Sequence, residues 1–110
     1  MLVLGASSAL LGASAAPLAD AVEKKDFATV RSLITDTNVN APQADGMTAL
    51  HWAARHDDHA TAKALLAAKA NPKAENRYGI TPLSLACTNG SAVMITLLLA
   101  AGAEVHAALR

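Results

Sequence analysis

Aromatic residues are scarce in this chain: among 110 residues there is one Trp, one Tyr and one Phe. A β-sandwich or barrel draws on aromatic and β-branched strands, so an all-β core is excluded. Cysteine is equally rare. Cys87 stands alone, which rules out an intrachain disulfide framework and a cysteine-built zinc site. Charge of neither sign predominates, since nine Lys and Arg face nine Asp and Glu. The basic footprint of a nucleic-acid binder is missing, so no nucleic-acid partner is expected. Long apolar runs are missing too. Met1 to Ala16 carries no charged side chain, but it is shorter than the roughly 20 residues needed to span a bilayer.

What the chain does have is alanine. Hydrophobic residues reach 53%, and alanine supplies much of that. Ala has the best helix propensity and lets helix backbones approach closely, so a compact all-α fold is expected. The length allows one domain with a modest core. The segment 1–15 reads as an apolar leader. Ala13-Ser14-Ala15 has the small-residue pattern of a secretory cleavage site, with the cut before Ala16. It lacks the Lys or Arg that usually opens such a peptide, because the first basic residue is Lys24. Two readings therefore stand: a signal peptide, with export to a periplasm or the outside, or an apolar helix packed on the next element of a cytoplasmic protein.

Two segments align without a gap at a spacing of 33 residues. Gly46 pairs with Gly79, Thr48 with Thr81, Leu50 with Leu83 and Ala53 with Ala86. Further on, Leu65 pairs with Leu98, Leu66 with Leu99, and Ala70 with Ala103. A weaker copy lies upstream at a spacing of 32, matching Leu18 to Leu50, Ala21 to Ala53 and Leu33 to Leu65. The residues Thr48-Ala49-Leu50-His51-Trp52-Ala53 and Thr81-Pro82-Leu83-Ser84-Leu85-Ala86, with the Leu98-Leu99-Ala100-Ala101-Gly102-Ala103 run, resemble the ankyrin-repeat family. The resemblance covers about residues 17 to 110. It implies an all-α solenoid of stacked antiparallel helix pairs with β-turn tips. The units expected are 1–15 leader, 16–43 degenerate N-terminal capping repeat, 44–76 repeat and 77–110 repeat.

Local chemistry fits that unit. Asp45-Gly46 is a turn signal and Thr48 a helix cap. Pro82 falls at a first helical position, where its missing N–H costs nothing. The first helix should bury Leu50, Ala53 and Ala54, and end near Asp57, where the later copy has Gly90. The second should run from Ala60 to Ala68, burying Ala62, Leu65 and Leu66, with Ile95, Leu98 and Leu99 doing the same in the next copy. Lys69, in the place of Gly102, should cap its helix less firmly. The last copy is the most apolar, and Glu104 to Arg110 reads like the lead-in to another turn. An uncapped face there implies either a longer array or a dimer formed through that face.

No catalytic constellation emerges, so no enzyme and no cofactor are expected. Of the four histidines, His51, His56, His59 and His106, only His56 and His59 have a spacing that could suggest a metal. They straddle the expected helix break, and no metal site is assigned. Asp57 and Asp58 are adjacent and cannot flank a substrate. Cys87 aligns with Ala54 and is expected to be an inert core residue. Trp52 aligns with Leu85 and is expected to pack. The resemblance implies that His51 bonds the backbone of the turns between repeats. It also implies that a protein partner is bound through the turn tips and the open side of the first helices. Carried over position by position, the candidates are Met47, Arg55, His56, Arg77, Tyr78, Ile80, Thr88 and Asn89, with Ala44, Asp45, Glu23 and Lys24 beside them. Expression through an export route should yield an intact mass for a chain starting at Ala16; an uncut mass would overturn the signal-peptide reading.

Overall fold

The computed structural model describes residues 16–35 and 37–104, so the leader and the last six residues lie outside the description. Among the described residues six α-helices follow one another: α1 Pro17–Glu23, α2 Phe27–Leu33, α3 Ala49–Arg55, α4 His59–Ala67, α5 Pro82–Asn89 and α6 Ala92–Ala100. No strand occurs among the described residues. Consecutive helices form three antiparallel hairpins. The first helices stack in a row, α3 lying between α1 and α5, while α6 packs on α4.

Each hairpin closes by the same device. Lys25, Asp57 and Gly90 hold equivalent places and all adopt left-handed backbone, with φ of 60°, 57° and 69°. Only Gly does this without cost; a Cβ adds about 1–2 kcal/mol of local strain. Hydrogen bonding offsets it. The next N–H reaches back to an alanine carbonyl: Asp26 to Ala21, Asp58 to Ala53 and Ser91 to Ala86. The same three residues then cap the second helices, their side chains accepting from the N–H groups of Thr29, Thr61 and Met94. Thr48 and Thr81 cap α3 and α5, whereas Ala16 gives α1 no side-chain cap. Lys69 and Gly102 form a second left-handed pair, so the lysine takes up the glycine's geometry despite its Cβ.

The core runs along the stack. Leu50, Leu65, Leu83 and Leu98 have almost no exposed surface, and Ala49, Ala53, Ala54, Ala62 and Ala86 fill the gaps between them. Each buried leucine contributes about 1.5–3 kcal/mol. The second helices depart from expectation. α4 begins at His59, and Leu66 is only half-buried. In α6, Met94 is fully buried, Ile95 is half-buried and Leu99 is 41% exposed. The run Ala92-Val93-Met94-Ile95 with three leucines after Thr96 is apolar on every side, so periodicity could not mark its inner face. Cys87 is another correction. It is exposed, although its counterpart Ala54 is completely buried. The third repeat covers Ala54, and nothing among the described residues does the same for Cys87.

Successive turns come so close that one residue type is required. Gly46 has φ +90°, and a Cβ built there would stand 2.8 Å from the Asn76 Cα in the next turn. Gly90 is also left-handed but has open space around its Cβ direction. Gly46→Ala is therefore expected to destabilise the fold by about 2–4 kcal/mol, against about 1 kcal/mol for Gly90→Ala. Urea denaturation of the two variants checks this, and equal losses would disprove the close approach.

Candidate partner-binding face

The turn tips are built from short hydrogen-bonded loops. In one, the Gln43 N–H donates to Met47 O at 2.9 Å and the Gly46 N–H to Gln43 O at 2.8 Å. In the next, Asn76 donates to Ile80 O and Gly79 to Asn76 O, both at 3.0 Å. Side chains finish the loops. The Asp45 carboxylate accepts from the Met47 N–H, and the Asn76 Oδ1 accepts from Tyr78 and Ile80. The tips are joined to each other where the Arg77 N–H donates to Asp45 O at 2.9 Å.

His51 lies beneath the tips and is wholly buried. Its Nδ1 accepts from the Thr48 N–H at 3.0 Å, and its Nε2 lies 2.8 Å from Ile80 O. An N–H can only donate and a carbonyl can only accept, so the ring is neutral with its hydrogen on Nε2. Burial lowers the imidazole pKa, outweighing the Ile80 carbonyl and the Asp45 charge, which both raise it. The expected bond between repeats is thus present. In the third repeat Ser84 repeats only the local half: its hydroxyl accepts from the Thr81 N–H at 2.9 Å.

Other candidates also prove to be ties between repeats. His56 Nε2 donates to Glu23 O at 3.1 Å. Asn89 stands in the equivalent place one repeat on, and its amide donates to Ala54 O and Arg55 O, each at 3.0 Å. Met47 is only 6% exposed, so its side chain belongs to the core and not to the outer patch. Its apolar character suits the space beneath the tip, against Asn76. Ile80 is half-buried. Arg55, Arg77, Tyr78 and Thr88 do present exposed surface, as do Ala44, Glu23 and Lys24, while Asp45 is half-buried. Tyr78 is 70% exposed, with the Arg77 guanidinium 6.0 Å from its ring centre.

Sequence reasoning missed Gln43. Its Oε1 accepts from the Trp52 indole at 2.9 Å, and its amide donates to Asp20 at 2.7 Å and to Glu23 at 2.9 Å. Trp52 packs half-buried, 5.8 Å from the His56 ring. The only available signal was that Gln43 and Asn76 are amides in register. His59 turns away from His56 to Asp57, at 2.8 Å. Hydrogen bonds from Ser91, then from His59, hold the Asp57 carboxyl below its usual range. No cluster of three metal-ligating side chains occurs among the described residues. Nor is any described helix long and apolar enough to cross a membrane.

Comparison with known proteins agrees with this geometry. A family model described as ankyrin repeats, in three copies, matches residues 18–108. A Caenorhabditis elegans homolog of the transient receptor potential cation channel subfamily A member 1 is 48% identical over 48 residues, 44% of this chain and 4% of that protein. The Drosophila melanogaster tyrosine-protein kinase Shark is 40% identical over 69 residues, 63% of this chain and 7% of the kinase. The Hydra vulgaris tyrosine-protein kinase HTK16 is 35% identical over 86 residues, 74% and 11% respectively. The crystal structure of the human ASB11 ankyrin repeat domain superposes with a TM-score of 0.73 at 34% identity, over 81% of this chain and 41% of that one. The chain thus spans less than half the length of each.

The His51 geometry sets a pH dependence. Folding keeps the ring neutral, so the unfolded chain takes up a proton first as the pH falls. The contribution is complete above the ordinary value of 6.5 and shrinks below it. Imidazole nitrogen NMR should show a neutral Nε2–H ring at pH 6.5, where a free imidazole is half protonated, with melting temperature falling on further acidification. A His51 imidazolium in the folded protein above pH 6.5 would contradict the arrangement.

Proposed function

The chain belongs to the ankyrin-repeat family, and from that premise we propose that it binds another protein through its turn tips and the adjoining first-helix side. Ankyrin repeats are in general non-catalytic scaffolds for protein–protein interaction, so binding, not catalysis, is the function to expect. The observation that carries the choice of face is Tyr78. An aromatic side chain 70% exposed beside a guanidinium is costly to leave bare, and such pairs are enriched where partners dock. The loop beneath it is held by the Asn76 side chain, the Arg77–Asp45 backbone bond and His51. A loop so braced loses little freedom on binding, which favours affinity. Export, with the leader removed before Ala16, is part of the same proposal and rests on the sequence of the first fifteen residues.

A second reading takes the repeats as a structural segment of a larger protein whose binding face lies elsewhere. The relatives named as a channel and as kinases are many times longer than the matched segment, which favours it. One experiment separates the two. Proteins captured by the chain are identified, and their affinity is measured for the native protein and for Tyr78→Ala combined with Arg55→Ala. The proposed face predicts an affinity loss of about tenfold or more with an unchanged melting temperature. Unchanged affinity would favour the structural-segment role.

A further inference from the structure

The side of the stack away from the turn tips carries a groove between α2 and α4, with a volume of about 390 Å³. Phe27, Val30 and Ile34 line it from α2 and its C-terminal end, and Ala60, Thr61 and Ala64 from α4. The helices concerned do not pack closely, in contrast to α4 and α6. The cause lies in two side chains. One repeat later, the places of Thr61 and Ala64 are held by Met94 and Leu97, whereas Val93, in the place of Ala60, is 51% exposed. Met94 is fully buried and Leu97 half-buried, so the larger residues fill at α6 what the smaller ones leave open at α4. The groove is therefore written into the sequence, with the next repeat as an internal control. It leaves Phe27, the only phenylalanine of the chain, 45% exposed.

Charge narrows the choice of occupant. Two ionisable side chains border the groove, Arg31 and Asp58. Both Asp58 oxygens are engaged in capping α4, through the Thr61 N–H and hydroxyl. Arg31 is exposed, and the one ion pair among the described residues joins His59 to Asp57. Among the described residues Arg31 thus makes no ion pair on the rim of an apolar trough, while the Asp58 charge is held by its capping donors. Past Ile34 the trough meets a second hollow of about 490 Å³ edged by Lys69. An apolar cleft of a few hundred Å³ with one or two placed polar groups is the usual form of a small-ligand site.

We propose that the α2–α4 groove binds an alkyl carboxylate, with its aliphatic chain against Phe27, Val30, Ile34 and Ala64 and its carboxylate paired with Arg31. The site is distinct from the turn-tip face and does not depend on it. Decanoate, kept below its micelle concentration, is the probe, and amide chemical shifts of the full chain are the readout. Saturable shifts are expected at Val30, Ile34 and Ala64, with the turn tips unmoved. Ala64→Leu installs the side chain that α6 carries at Leu97. It should weaken binding by about tenfold or more, the worth of roughly two buried methylenes, while leaving the melting temperature equal or higher. If that variant fails to fold, Thr61→Met, after the fully buried Met94, takes its place. Decanoate should bind about two- to fivefold tighter than decanol, and Arg31→Gln should remove that preference. Absence of saturable shifts, shifts confined to the turn tips, or undiminished binding by the filled variants would overturn the proposal.

Discussion

The hydrogen bond from the His51 ring to the Ile80 carbonyl fixes where the second repeat sits on the third. Apolar burial is non-directional and does not by itself choose a register. A buried donor must meet its acceptor or lose about 1–3 kcal/mol, and that penalty selects a single register. The register then sets what lies above it. It brings Gly46 against the Asn76 backbone, aligns the tips for the Arg77–Asp45 bond and places Asn89 under the end of α3. The exposed pair Arg77 and Tyr78 stands on that arrangement.

Much of this could be read in the sequence. The spacing of 33, the turn glycines and the threonine caps named the helix pairs and their order. They did so because they depend on short-range chemistry: a left-handed residue, a cap, a proline at a helix start. The His51 role was legible only through family resemblance, since nothing local says that a histidine reaches 29 residues ahead. Met47 and Cys87 went wrong for a shared reason. Both were assigned by position within a repeat, whereas exposure is decided by the neighbour that follows. Met47 has such a neighbour among the described residues and Cys87 has none. Gln43 was invisible because its partners Asp20, Glu23 and Trp52 come from two repeats and meet only after stacking.

The two sides of the stack solve different problems. At the turn tips, polar side chains spend their hydrogen bonds on the backbone, which leaves a few large exposed groups free to meet a partner. On the side away from the tips, small residues on α4 leave space that the corresponding residues of α6 fill. Substitutions on one side should therefore have little effect on the other, because residues without shared contacts act nearly additively.

Among the described residues, the ties between repeats link each repeat only to the next. Glu23 is held by His56 of the following repeat, and α3 in turn by Asn89. The first helices meet in sequence, α1 on α3 and α3 on α5. The seven residues of α3 therefore act as the middle link of a three-link chain. Tension applied between the ends, or strain set up by a ligand at either, has its main path through them.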